Sequence, residues 1–82
     1  MSRDLFLELE SIDIELSRLN LKNLNKKERE YRKYLVVKIE RVSKEIMLWG
    51  KKEEILKLEF ILRNFLFNYH IKEYYRYFNK AI

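Results

Sequence analysis

Apolar residues recur along this chain at helical intervals almost from end to end, and no stretch shows the period-two alternation of a half-buried strand. Leu5, Leu9, Ile12, Leu16 and Leu19 step by 4, 3, 4 and 3. That spacing predicts a first helix over about residues 3–20, with Ser2 as its N-cap and Asp4 in a first turn where the helix dipole favours negative charge. A thinner apolar stripe, Leu7, Ile14 and Leu21, runs along the opposite side among Glu8, Glu10, Asp13 and Glu15. The Asn-rich segment at 20–25 breaks the pattern. Asn25 followed three residues later by Glu28 reads as a capping box, so a second helix starts near Lys26. Leu35, Ile39, Val42, Ile46 and Trp49 repeat the 4, 3, 4, 3 spacing, with Tyr31 extending the stripe backwards, and Gly50 supplies a C′ residue. The helix is expected over 26–49, with Trp49 covering the end of the core.

The third segment differs from the first two because it has two apolar stripes of comparable strength. With 100° per residue, Leu58, Leu62, Phe65 and Tyr69 fall within about 20° of one direction. Leu56, Phe60, Phe67, Ile71, Tyr74, Phe78 and Ala81 lie near the opposite one. Neither Pro nor Gly occurs after Gly50, so this helix is expected to run over about 52–80. A helix packed on one side of a bundle needs one stripe; a second is built for a further contact.

The chain is therefore expected to be all-α and a single domain over residues 1–82: a small up-down-up three-helix bundle with a long C-terminal helix, and oligomeric. The alternative is a helical hairpin in which one continuous helix runs from about 26 to 80, because an internal Gly costs only about 1 kcal/mol relative to Ala. The lone Gly50 and the charged run Lys51-Lys52-Glu53-Glu54 favour a break.

Composition adds partners and exclusions. Eighteen Lys and Arg against thirteen Asp and Glu give a net charge of +5, and the surplus starts at the second helix, since residues 1–25 hold three basic and five acidic side chains. Lys26, Lys27, Arg29, Arg32 and Lys33 crowd a helix start, where the dipole disfavours cations and a nucleic-acid phosphate would relieve them; Arg76 and Lys80 extend the basic set. The competing account is a solvated face offset by Glu28 and Glu30. Without cysteine and with His70 as the only imidazole, neither disulfide chemistry nor a metal site is expected. No serine has a general base at recognisable spacing, and one glycine cannot build a phosphate loop, so the chain is not expected to be an enzyme or to take a cofactor or small-molecule substrate. Acids at 4, 8 and 10 interrupt any secretion signal, and no run approaches the ~18 apolar residues of a membrane span, which suggests a cytoplasmic setting. Lys and Glu are abundant while Thr, Gln, Cys and Pro are missing, a usage like that of heat-adapted proteins.

Two functions follow as expectations. The first is a non-catalytic interaction or accessory protein that associates with itself or with a larger, nucleic-acid-processing assembly through Leu56, Phe60, Phe67, Ile71, Tyr74 and Phe78, together with Leu7, Ile14 and Leu21. The second is direct, sequence-indifferent binding of DNA or RNA through the basic start of the second helix.

Overall fold

A computed structural model describes residues 4–71, and among these every regular element is a helix: α1 (Leu5–Ser17), α2 (Lys26–Trp49) and α3 (Lys52–Tyr69). The first helix begins later than the apolar pattern suggests. Asp4, not Ser2, is its N-cap, with Oδ1 accepting from the Phe6 and Leu7 backbone N–H groups at 3.1 and 3.2 Å. It also ends earlier, because the Arg18 and Leu19 N–H groups bond to carbonyls three residues back and tighten the last turn. Asn20 then accepts from the Lys22 N–H and starts the connecting turn.

The second helix occupies the expected residues. Asn25 Oδ1 accepts from the Glu28 N–H at 2.9 Å and Glu28 Oε1 accepts from the Asn25 N–H at 3.1 Å, a complete capping box. At its other end Gly50 has φ −77° and ψ 152°, followed by an equally extended Lys51, so the continuous 26–80 helix does not form. Gly50 is not in the left-handed conformation that a C′ glycine implies. It is required for space: its N–H bonds to the Ile46 carbonyl at 2.6 Å, and an added Cβ would collide with that oxygen. Glu54 then accepts from the Lys51 N–H at 3.0 Å and secures the start of α3.

The long third helix is corrected at His70, which takes φ 56° and ψ 34°. Histidine is among the side chains that enter this left-handed region more often than most. The His70 N–H bonds to the Leu66 carbonyl, the Ile71 N–H reaches back to that of Phe65, and the Ile71 side chain turns into the core, fully buried. Ile71 thus leaves the outer stripe to which helical periodicity assigned it. Tyr74, Arg76, Phe78 and Lys80 lie outside the described residues.

Helix directions alternate. Tyr31 near the start of α2 donates to Glu15 near the end of α1, and Arg32 reaches the carbonyl of Tyr69 at the end of α3. At the opposite end the Lys57 ammonium lies 4.6 Å from the centre of the Phe6 ring, joining the starts of α1 and α3. The core between them is Leu9, Ile12 and Leu16 from α1, Leu35, Val36, Ile39, Val42 and Ile46 from α2, and Leu58, Leu62 and Phe65 from α3, closed by Ile71. Ser43, also buried, donates to the Ile39 carbonyl at 2.7 Å, so its hydroxyl costs little.

Candidate interaction surfaces

With one face of α3 committed to the core, its other face stands in water. Leu56 is 56% exposed, Phe60 66% and Phe67 76%. They fall on one side because they are spaced by four and seven residues, close to whole helical turns. Arg63 occupies the gap in that row, held by Glu59 on the same helix at 3.0 Å. On α1, Leu7 and Ile14 are exposed at 60% and 48%, whereas Leu21, in the turn beyond Ser17, is half-buried. Among the described residues, Leu56, Phe60 and Phe67 on α3 and Leu7 and Ile14 on α1 are exposed as the sequence suggests, whereas Leu21 and Ile71 do not belong to an exposed stripe.

A third exposed row, on α2, was not singled out from the sequence. Tyr34, Val37 and Leu48 share its outer side with Arg41 and Lys44. The 3- and 4-residue spacing was visible, but the two cations in mid-row disguise it as a solvated face. Trp49 is corrected as well. Expected over the core, it is 83% exposed, because it is the terminal residue of α2 and lies beyond the last core layer at Ile46.

The basic start of α2 divides. Lys26, Lys27, Arg29 and Lys33 are exposed. Arg32 is half-buried and already has a structural task, with an Nη2 donating to the Tyr69 carbonyl at 3.3 Å, where a cation offsets the negative end of the helix dipole. Arg29, Arg32 and Lys33 meet His70 across a recess of about 350 Å³ floored by Leu21, Leu24 and Tyr69, with no carboxylate in its lining. Tyr31 and Tyr34 stack beside this region at 6.1 Å between ring centres.

One part-buried side-chain pair joins α1 to α3. The Tyr69 hydroxyl donates to Asp13 Oδ1 at 2.5 Å and sits 3.2 Å from the Asp13 carbonyl oxygen, tying the end of α3 to α1. Partial burial, then the bond to Asp13 and its negative charge, push the phenol from its usual 10 up to about 12. A phenol held protonated in this way fastens two helices and does not act as an acid or base near neutrality. A groove of about 440 Å³ runs between α1 and α3, lined by Phe6, Leu7, Asp13, Lys57, Ile61 and Asn64 among others. Of its charged groups, Asp4 caps α1, Asp13 bonds Tyr69 and Lys57 lies over the Phe6 ring, while Glu10 also lines it. Among the described residues no three His, Cys, Asp or Glu side chains converge as metal ligands, and no helix is long and apolar enough to cross a membrane.

Comparison with protein families, with characterised proteins and with solved structures gives no match to this chain.

Proposed function

We propose that this chain is a non-catalytic helical assembly protein whose outer α3 face, supported by the outer side of α1, docks against another protein surface. The observation that carries the reading is the exposure of Leu56, Phe60 and Phe67 on one side of a helix whose other side is fully used by the core. Isolated surface apolars are ordinary, but two phenylalanines and a leucine aligned on one helix face, with only Arg63 between them, support an interaction site. Removing such a side chain from water contributes about 1.5–3 kcal/mol, so three anchors suffice to offset much of the cost of association. The test is Phe67→Asp, which should abolish association, read as mass by light scattering, while helicity by circular dichroism stays unchanged. Unaltered assembly of that variant overturns the reading.

A second reading, phosphate contact with nucleic acid, is favoured by the recess in which Arg29, Arg32, Lys33 and His70 face one another without a carboxylate. It calls for affinity that falls with salt at a log–log slope of about −0.9 per phosphate neutralised on duplex DNA, and for a large loss in an Arg29→Glu, Lys33→Glu chain. Binding indifferent to salt, or unaffected by the charge reversals, rules it out.

A further inference from the structure

The assembly reading leaves open what covers α3, and the order of side chains along its outer face answers with a second copy of the chain. Glu53, Leu56, Phe60, Arg63 and Phe67 form a single row with steps of 3, 4, 3 and 4, the spacing of a two-helix seam. All five are exposed, and the helix ends at Tyr69, where His70 turns out of the helical conformation toward the recess beside Arg29 and Lys33. Read in reverse against itself, the row is complementary at its two inner layers. Leu56 of one chain faces Phe67 of the other, and Phe60 faces Arg63. An aliphatic side chain thus meets an aromatic one, and a ring meets a guanidinium plane. Because Glu59 on the same helix already balances Arg63 at 3.0 Å, that guanidinium can stack on a facing ring without bringing an uncompensated charge into the seam. A parallel pairing would set Arg63 on Arg63 and Glu53 on Glu53, like charges that disfavour it.

The area agrees with this occupant. At about 200 Å² for a fully exposed large side chain, Leu56, Phe60 and Phe67 together leave roughly 400 Å² in water on each chain, so pairing removes about 800 Å². The stems of Glu53 and Arg63 add to this and bring it toward the lower bound of about 1,000 Å² for a specific interface. We infer that the chain forms a two-fold symmetric dimer in which two α3 helices pack antiparallel, with the axis passing between Phe60 and Arg63. This rests on the assembly reading and adds its partner and register.

The chain has no cysteine, so thiols introduced one at a time report register directly. Leu56→Cys and Phe67→Cys chains are oxidised separately and as an equimolar mixture, with folding checked by circular dichroism, and the unsubstituted chain is sedimented to equilibrium. The expected results are a mass of about twice 10.3 kDa for the unsubstituted chain and a disulfide joining 56 to 67 in the mixture. That disulfide should form at least about fivefold more than in either chain alone, since bridged Cα atoms must lie within about 7 Å. Efficient cross-linking of the Leu56→Cys chain to itself overturns the antiparallel register, while dispersal by Phe67→Asp would still uphold the assembly face. A 10.3 kDa monomer at millimolar concentration overturns the second copy as occupant. A dimer that Phe67→Asp fails to disperse overturns both the register and the assembly reading.

Discussion

Tyr69→Phe isolates one hydroxyl that joins the first and last helices. The ring keeps its place 6.0 Å from Phe65, and Arg32 bonds to the backbone carbonyl of residue 69, so packing and capping survive the change. What is lost is the bond to the Asp13 carboxylate. A hydrogen bond to a charged group contributes about 1.5–3 kcal/mol, but water can reach this half-buried pair, which reduces the expected loss to about 1–2 kcal/mol. For a domain of this size that is roughly 5–12 °C in Tm. The upward displacement of the phenol from 10 to about 12, caused first by partial burial and then by Asp13, bounds how much stability depends on its staying protonated. Its full value, two units at about 1.36 kcal/mol each, is an upper bound of about 2.7 kcal/mol, and solvent screening again brings it to about 1–2. The sign follows from proton binding: between pH 10 and 12 the unfolded chain releases the Tyr69 proton while the folded chain retains it, so rising pH favours unfolding. The contribution is complete below pH 10 and gone above about 12. Urea unfolding of both chains, followed at 222 nm across pH 7–12, checks this. Lysine titration affects both alike and cancels in the difference. A Tyr69→Phe chain within about 0.3 kcal/mol of the parent at pH 7, or a gap that persists unchanged through pH 12, would refute the reasoning.

Two substitutions test the ends of the helices. Gly50→Ala should cost about 1–3 kcal/mol by thrusting Cβ against the Ile46 carbonyl, and Gly50→Asn should be no better, because the backbone there is extended; a variant with Asn tolerated and Ala not would indicate a left-handed residue instead. Ile71→Ala should cost about 2–4 kcal/mol in chemical denaturation, the loss expected for a fully buried aliphatic side chain, whereas a surface role in the outer stripe would leave stability within about 0.5 kcal/mol.

Three features made most of the fold legible from sequence. Periodicity located the core stripes, as Leu9, Ile12 and Leu16 or Leu58, Leu62 and Phe65 show. The Asn25–Glu28 pair marked the start of α2 through a local hydrogen-bond pattern that the sequence spells out. Gly50 marked its end, although the physical reason proved to be steric room and not handedness. The end of α3 had no such mark. A left-handed histidine has no distinctive neighbour, and Ile71 is in phase with Phe60 and Phe67, so periodicity runs through the break undisturbed. The fate of Trp49 was equally hidden, since angular phase says which side of a helix a residue occupies and nothing about how far along the axis its neighbours extend. For the interaction surfaces, Leu56, Phe60 and Phe67 were readable as a second stripe, while the division of labour within the basic cluster was not. That Arg32 serves the end of α3 depends on where Tyr69 lies, 37 residues further on.

The reversal at His70 links these observations to assembly. Had α3 continued, Ile71 would have stayed on the outer stripe and the core would lack the side chain that now closes its end. Ending the helix there sends Ile71 inward and leaves Leu56, Phe60, Arg63 and Phe67 as the outer row of α3, with Phe60 and Arg63 at its centre. The contacts that hold this end in place, Arg32 on the Tyr69 carbonyl and the Tyr69 hydroxyl on Asp13, thereby set the length of the face that α3 offers. Under the proposed antiparallel pairing, the terminus that stabilises the bundle also bounds the seam.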